Sequence, residues 1–211
     1  MVRSIGRLHL VTDEAIDPVE IVPTVGLAVQ AGVDAVQVRY PHLGAREISY
    51  LVKAIQRDTA TSNTAVIVND RVDVAMALGA DGVHLGQRSL GVVEVRRLAG
   101  PDMLIGVSVH SMAEVTEAVA GGVEYLIFGH VYPTRSHPRE PGRGIALLAE
   151  VVAAVAPVPV IAIGGITPER VPDVLRAGAT GVAVMRSILN TDDVAAATKS
   201  FIDAINHHVY S

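Results

Sequence analysis

The sequence predicts a single (β/α)₈ barrel that spans residues 1–211. Eight short apolar runs, each the length of a buried strand, alternate with segments of helical periodicity. Strict alternation of strand and helix is typical of a parallel sheet, and eight such units close into a barrel. The predicted strands are residues 7–12, 35–39, 65–70, 82–86, 104–110, 125–130, 159–164 and 181–185.

A glycine-led repeat supports this assignment. The repeat begins at Gly32, Gly79, Gly122 and Gly178, before every second predicted strand. It sets the side-chain alternation, because one face of each following strand is uniformly apolar and must meet the helices. The other face is polar or small and points into the barrel. Arg39 is therefore expected to project into the barrel mouth, beside Gly86 and Gly129.

Composition narrows the possible functions. Hydrophobic residues make up 50% of the chain and the formal charge is −5, with no dense cluster of Lys and Arg, which argues against nucleic acid as the main partner. There is no cysteine, which excludes a thiolate nucleophile and cysteine-bound metals. The first 17 residues lack the apolar core of a signal peptide, and no apolar run reaches about 18 residues. We expect a soluble, cytoplasmic protein without membrane contact.

Two loops at the predicted C-terminal end of the barrel suggest a phosphate site. Gly164 and Gly165 follow the seventh strand and precede Thr167 and Pro168, which are predicted to cap the next helix. Arg186 and Ser187 end the eighth strand. Loops in these places commonly bind phosphate in barrel enzymes. The alternative is a tight turn that needs glycine only for a positive φ.

Histidines at strand ends are the candidates for acid–base chemistry. His130 follows Gly129 at the end of the sixth strand, and imidazole changes its charge near neutral pH. The alternative is a structural or merely exposed imidazole. His84 lies within a strand and faces inward, which favours a hydrogen-bonded core histidine. Ser111 and Glu114 have the spacing of a capping box before the fifth helix.

Asp70 and Arg39 each allow two interpretations. Asp70 ends the third strand and suits Mg²⁺, but the comparable loop after the fourth strand, at 87–89, offers no carboxylate. We therefore predict no required metal, with an ion pair between Asp70 and Arg71 as the alternative role. Arg39 suits an anionic ligand group, or else pairs with Asp70 or another nearby carboxylate.

These residues resemble those of the thiamine phosphate synthase/TenI superfamily. The resemblance implies a (β/α)₈ barrel that handles thiazole phosphate, with the phosphate at the loops after the seventh and eighth strands. The matching segments are LVTD at 10–13, QVR at 37–39, VND at 68–70, GADGVHLGQ at 79–87, IGVSVH at 105–110, FGHVYPTRSH at 128–137, GRG at 142–144, AIGGI at 162–166 and AGATGVAVM at 177–185.

The synthase branch of that superfamily joins a pyrimidine diphosphate to thiazole phosphate. It uses magnesium and lysines to stabilise the departing pyrophosphate. The present chain departs from the synthase pattern at four positions. Pro41 and His137 stand where lysines are expected, Ser89 replaces a magnesium-binding aspartate, and Arg186 replaces a serine.

The TenI branch has histidine in the Gly-His-Val strand end, as this chain does at 129–131. The resemblance implies a metal-independent isomerase without a cofactor, a thiazole tautomerase in which His130 moves a proton of the substrate. It also implies that Thr134, Ser136, Gly165 and Ser187 hold the phosphate end of the substrate, while Gln37, Arg39 and Asn69 line its ring side. The full predicted site comprises Gln37, Arg39, Asn69, Ser108, His130, Thr134, Ser136, Gly164, Gly165, Arg186 and Ser187.

Two other functions remain open from the sequence. One is a transferase similar to thiamine phosphate synthase, and the other is a non-catalytic regulatory protein that binds thiazole phosphate. The small-molecule thiazole phosphate is the expected partner in each case. The apolar stretches at 118–122 and 151–158 would suit a homodimer.

Overall fold

The computed structural model describes residues 5–209, with side chains described as far as residue 207. Its strands are β1 Leu8–Val11, β2 Ala35–Val38, β3 Ala65–Asn69, β4 Gly82–Leu85, β5 Leu104–Val109, β6 Tyr125–Gly129, β7 Val160–Ile163 and β8 Gly181–Val184. Its helices are α1 Pro18–Ala31, α2 Ala45–Thr59, α3 Val72–Leu78, α4 Val92–Ala99, α5 Met112–Ala120, α6 Gly144–Val155, the 3₁₀ turn Pro168–Arg170, α7 Val171–Arg176, α8 Arg186–Leu189 and α9 Val194–Val209.

The eight strands form a closed parallel barrel, as the sequence predicts. Each strand pairs with the next along the chain, and β8 pairs with β1 in the register His9 to Ala183. The predicted strands are correct to within one residue at each end, since the last residue of each predicted run turns out of the hydrogen-bonded ladder. That the domain includes residues 1–4 and 210–211 stays a prediction, because these lie outside the described residues.

Apolar side chains form two layers on either side of the strands, and the predicted alternation is confirmed. Val36, Val38 and Phe128 belong to the large core between the strands and the helices. Ile67 and Ile127 belong to a smaller core inside the barrel. Because the outer core is continuous around the barrel, it fixes the strand ends that carry the polar residues described below.

A small polar cluster fills the barrel interior beneath the mouth. His84 contacts Ser108 Oγ through Nε2 at 2.8 Å and the Tyr125 hydroxyl through Nδ1 at 3.3 Å. His9 packs edge-on against Tyr125, with 5.6 Å between ring centroids. Gly106 allows this packing, because a Cβ there would lie 2.1 Å from Tyr125 Cζ. The expectation of a hydrogen-bonded core histidine at position 84 is confirmed.

Burial keeps both interior histidines neutral. It lowers the pKa of His9 to about 4 and that of His84 to about 3, because an imidazolium loses its hydration inside the barrel. The same burial raises the pKa of Tyr125.

The predicted helix caps are correct in part. Ser111 Oγ accepts a hydrogen bond from the Glu114 amide at 3.4 Å, as expected of an N-cap. The reciprocal half of the capping box is wrong, because the Glu114 carboxylate binds the His110 amide at 2.8 Å instead. Thr167 precedes Pro168 as predicted, but the segment begins as a 3₁₀ turn and the threonine hydroxyl does not cap it.

No helix in the described part of the chain is long and apolar enough to cross a membrane. Cytoplasmic location stays a prediction. So does a homodimer, although Val151 and Val155 of the apolar stretch in α6 are buried within the chain itself.

Candidate active site

A cavity of about 610 Å³ opens at the C-terminal end of the barrel. It lies where barrel enzymes build their active sites. All the residues of the predicted site line it, so the sequence correctly predicts that they come together; their individual roles stay predictions. They are Gln37, Arg39, Asn69, Ser108, His130, Thr134, Ser136, Gly164, Gly165, Arg186 and Ser187.

A chain of hydrogen bonds crosses the ends of β2, β3 and β4. Gln37 Nε2 donates to Asn69 Oδ1 at 2.6 Å, and Asn69 Nδ2 donates to Asp70 Oδ2 at 2.5 Å. Gln37 is only 4% exposed, and its Oε1 has no hydrogen-bond partner among the described residues. A buried acceptor without a donor is costly, so a ligand that offers an N–H at this position would gain a hydrogen bond.

The Asp70 carboxylate is occupied by donors from its own chain. The Gly86 amide donates to Asp70 Oδ1 at 3.1 Å, and the Ser89 hydroxyl donates to the same oxygen. Asp70 holds a φ of +60°, an uncommon backbone conformation that these bonds help to fix. Arg71 pairs with Asp73 at 2.5 Å, so the predicted ion pair between Asp70 and Arg71 is wrong.

These contacts do not fit the magnesium site that the synthase branch implies. The pattern that the resemblance implies has two carboxylates there, and Mg²⁺ prefers anionic oxygen ligands in octahedral geometry. Of the two positions, only Asp70 is a carboxylate in this chain. The residue at the other position, Ser89, donates its hydroxyl proton to Asp70. A lone carboxylate that already accepts hydrogen bonds from its own chain is therefore a weak site for magnesium.

The glycine pair after β7 is required by close packing. Gly164 and Gly165 have φ values of +100° and +62°, and a Cβ at Gly164 would lie 2.2 Å from His130 Cβ. A Cβ at Gly165 would lie 2.6 Å from the Pro133 carbonyl oxygen. Arg170 fixes the turn by donating to the Gly165 carbonyl at 2.5 Å. Steric need explains both glycines, so a phosphate here must be argued from other groups.

A salt bridge joins the end of β8 to the end of β1. Arg186 Nε donates to Asp13 Oδ2 at 2.7 Å, and the Asp13 side chain is only 4% exposed. Burial alone would raise the pKa of Asp13, but the Arg186 guanidinium and the Ala15 amide together hold it below its ordinary value. The sequence puts Asp13 at a strand end, but nothing in it predicts this partner 173 residues away.

In the described part of the chain, the cavity is lined by four arginines and by three carboxylates, which are Asp13, Glu14 and Asp70. Among the described residues, the lining arginines are Arg39, Arg88, Arg135 and Arg186. Arg39 lies 3.7 Å from Glu14, which confirms the alternative of a neighbouring carboxylate and excludes Asp70 as its partner in this conformation. That contact is long and half-exposed, so it contributes little and leaves Arg39 available to a ligand.

His130 is held tightly at the end of β6. The residue is 5% exposed, and Nε2 lies 3.1 Å from the Pro141 carbonyl oxygen. Arg143 fixes the backbone on both sides, because its Nε donates to the Gly129 carbonyl at 2.8 Å and its amide donates to the His130 carbonyl at 2.9 Å. The His137 ring stacks on the His130 ring, with centroids 4.6 Å apart and planes 7° apart.

Three predicted hydroxyl groups have partners within the chain. Ser187 Oγ donates to the Ile166 carbonyl at 3.0 Å, and Ser108 Oγ contacts His84. Thr134 Oγ1 accepts from the Ser136 amide at 3.4 Å. Thr134 and Ser136 lie on the loop after β6, which faces the cavity from the side of His130.

The predicted site omits several residues that line the cavity or support it. Gln87 Nε2 donates to the Ser108 carbonyl at 2.8 Å and to Glu114 at 3.0 Å, which links β4, β5 and α5. Arg143 falls in a matched segment, but the sequence gives no sign that it binds a strand-end carbonyl. Glu14 follows β1, but no sequence pattern predicts its contact with Arg39.

Comparison with known proteins identifies the family. The family model described as "Thiamine monophosphate synthase" matches residues 8–188. The chain is 43% identical over 200 residues to a thiamine-phosphate synthase of Methanoculleus marisnigri, with 94% of each chain covered. It is 34% identical over 212 residues to thiamine-phosphate synthase 2 of Streptococcus pneumoniae, with both chains covered completely. A thiamine phosphate pyrophosphorylase from Pyrococcus furiosus has a similar structure, with a TM-score of 0.87, 33% identity and 96% of each chain covered.

These findings correct the functional prediction. The similar proteins carry the name of a transferase, so the expectation of a thiazole tautomerase, an isomerase of the TenI branch in which His130 moves a proton, is wrong. His130 and the four departures from the synthase pattern are local features, whereas the likeness to the synthases extends over nearly the whole chain. The match over 8–188 and the relatives above 30% identity show that the chain belongs to the thiamine monophosphate synthase family.

Proposed function

We propose that this protein is a transferase of the thiamine-phosphate synthase type. It would join a pyrimidine diphosphate to thiazole phosphate and release pyrophosphate. In that reaction the bond from the pyrimidine's side-chain carbon to the diphosphate oxygen breaks, and the same carbon forms a bond to the thiazole ring. The names of the relatives at 34% and 43% identity support this class of reaction.

The observation that carries the proposal is the set of four arginines that line the cavity. Both substrates and the leaving group are phosphates, and guanidinium groups bind phosphate oxygens through two parallel hydrogen bonds. Arg39, Arg88, Arg135 and Arg186 line one cavity of about 610 Å³, a size suited to small molecules. Departure of pyrophosphate requires its growing charge to be neutralised, and arginine charges fixed around the site would do so.

The two sides of the cavity differ in a way that suits two different ligands. The thiazole phosphate would lie by the loops after β6, β7 and β8, near Ser136, Gly165 and Arg186. The pyrimidine ring would lie on the opposite side, over the chain of bonds from Gln37 to Asp70. An amino group on that ring would supply the donor that Gln37 Oε1 lacks.

A second candidate function is a non-catalytic binder of thiazole phosphate. The observation that favours it is the hydroxyl of Ser89 bound to Asp70, in the place where two carboxylates would hold magnesium. Such a protein would bind the thiazole phosphate without turning it over.

Pyrophosphate release tests the proposal. The protein is incubated with both substrates, with and without magnesium, and pyrophosphate is followed by a coupled assay. We expect release that requires both substrates and falls at least about tenfold in Arg186→Gln, since that change removes a charged phosphate contact. Arg176→Gln is the control, because Arg176 is exposed and pairs with Asp173 away from the cavity. Thiazole phosphate binding without any release would favour the second candidate, and neither binding nor release would overturn both.

A further inference from the structure

We propose that His130, His137 and Glu140 bind one divalent transition-metal ion, with zinc the best fit, at the edge of the cavity. Two imidazole nitrogens and one carboxylate oxygen are the ligand set of many zinc sites that keep a fourth position open. The site is separate from the Asp70 position. Its existence does not depend on the proposed function, although its role described below does.

The three side chains already lie close together. One ligand atom from each residue lies within 4.8 Å of the others. His137 Nδ1 is 3.7 Å from Glu140 Oε1. A tetrahedral zinc ion with bonds of about 2.0–2.2 Å needs its ligand atoms roughly 3.4 Å apart. The group must therefore contract by about 1.4 Å at its widest, with the parallel imidazoles tilting toward a common point.

The residues differ in freedom, and this makes the contraction feasible. His130 is fixed at the end of β6, whereas the side chains of His137 and Glu140 are 48% and 58% exposed on the loop that follows. A rotation about the side-chain bonds of these two residues moves their ligand atoms without disturbing the barrel. The burial of His130 provides one fixed ligand to which the other two can close.

The hydrogen bond of His130 is compatible with a role as a metal ligand. A carbonyl oxygen only accepts, so the contact at 3.1 Å between His130 Nε2 and Pro141 assigns the proton to Nε2. The lone pair of the neutral ring is then on Nδ1. Histidines that bind metals almost always donate their other ring N–H to a carbonyl or carboxylate, which orients the ring and sets the tautomer. His130 has this second contact in place.

The neighbouring charges allow a cation here. Arg135 and Arg139 lie within two residues of His137 in the sequence, and Arg139 directly precedes Glu140. Arg143 directs its Nε to the Gly129 carbonyl, and Glu140 contributes a compensating negative charge. Arg135 lines the cavity rim and would share any anionic ligand with the metal.

The open coordination position would face the cavity, which His130 and His137 both line. Resting on the proposed function, we infer that a diphosphate oxygen of the substrate fills this position. The metal would then supply positive charge close to the leaving group in a chain whose Asp70 position does not suit magnesium.

Metal titration tests the site without reference to activity. Metal-free full-length protein is titrated with zinc chloride by calorimetry. The same is done for His137→Gln and Glu140→Gln, both exposed enough to leave the fold intact, with circular dichroism as the check. The matched control is His42→Gln, because His42 is 84% exposed and lies 3.5 Å from Glu14, another pair of imidazole and carboxylate. We expect about one zinc ion per chain, at least about tenfold weaker binding in both site variants, and unchanged binding in the control.

Two results would overturn the proposal. One is the absence of zinc binding to the wild type, and the other is equal affinity in the wild type and the His137→Gln variant. Cobalt(II) provides a second readout, because tetrahedral cobalt absorbs strongly in the visible range. Pyrophosphate added to the cobalt-loaded protein is expected to change that spectrum, and an unchanged spectrum would contradict an open position facing the cavity. Failure of the transferase assay alone would leave the zinc titration intact, so the two proposals fail separately.

Discussion

The Arg186 guanidinium donates to the buried Asp13 carboxylate at 2.7 Å and so joins the last strand of the barrel to the first. The salt bridge has a different consequence for each residue, because the two side chains differ in burial. Asp13 is buried and must be neutralised, whereas Arg186 is partly exposed and can also turn its remaining N–H groups toward the cavity.

Substitutions of the two partners should affect the free energy of unfolding and the binding of phosphate to different extents. Arg186→Gln leaves Asp13 buried without a cation, and we expect a loss of about 1–3 kcal/mol in the free energy of unfolding, measured by urea denaturation. Asp13→Asn keeps an oxygen that can accept from Arg186, so it should cost less and should retain phosphate binding. Equal stability of Arg186→Gln and the wild type would contradict this account of the pair.

The glycine pair after β7 provides a matched steric test. Gly165 and Gly79 have nearly equal φ values, +62° and +60°, but a Cβ at Gly79 would meet nothing within 4 Å. Gly79→Ala should therefore cost only the backbone term of about 1 kcal/mol, whereas Gly165→Ala also forces its methyl group against the Pro133 carbonyl. Thermal denaturation should show a clearly larger loss for Gly165→Ala. Similar losses in the two variants would mean that the loop moves freely.

The buried histidines predict a loss of stability in acid. Their folded pKa values, about 4 for His9 and about 3 for His84, lie below the ordinary 6.5, so the unfolded chain binds more protons as the pH falls below 6.5. For His9 this amounts to roughly 3 kcal/mol between pH 6.5 and 4. Asp13, whose pKa is also lowered, adds a loss in the same direction as the pH falls through its ordinary value of 3.8.

The measurement is the free energy of unfolding against pH for the wild type, His9→Gln and the control His42→Gln. The slope between pH 6.5 and 4 should be shallower in His9→Gln and unchanged in the control, because His42 is 84% exposed. A wild-type curve that is flat over this range would contradict the assignment of neutral interior histidines.

Position 89 tests why the magnesium site of the synthase branch does not fit this chain. Ser89→Asp brings a second carboxylate beside Asp70, where like charges repel, so we expect a lower melting temperature without metal. Millimolar magnesium chloride should then raise the melting temperature of Ser89→Asp by several degrees and leave the wild type and Ser89→Asn unchanged. An equal rise in the wild type would show that Asp70 holds magnesium without a second carboxylate.

The barrel was predictable because its signal is local and repeated. Alternating residues such as Val36, Gln37 and Val38 specify which face of a strand meets the helices, and the same pattern recurs along the chain. The position of the site follows from the fold, because polar residues at the ends of parallel strands meet at one mouth.

The pairings within the site were not predictable in the same way. Asp13 and Arg186 lie 173 residues apart, and the acceptor for His130 is a backbone carbonyl, which no side-chain pattern reports. Arg71 pairs with Asp73 and not with Asp70. Asp70 has a positive φ, and its carboxylate accepts from the Gly86 amide instead. The prediction of the reaction class is wrong because it rests on His130 and on four departures from the synthase pattern, at positions 41, 89, 137 and 186. These are local features, whereas the likeness to the synthases extends over nearly the whole chain.

Formation of thiamine phosphate tests the central claim most directly. The wild-type protein is incubated with the pyrimidine diphosphate and thiazole phosphate, and the product is identified by mass spectrometry, with each substrate omitted in turn. The account predicts thiamine phosphate and pyrophosphate in equal amounts, only when both substrates are present, and a large loss in Arg186→Gln. No thiamine phosphate from folded protein that binds both substrates would contradict it.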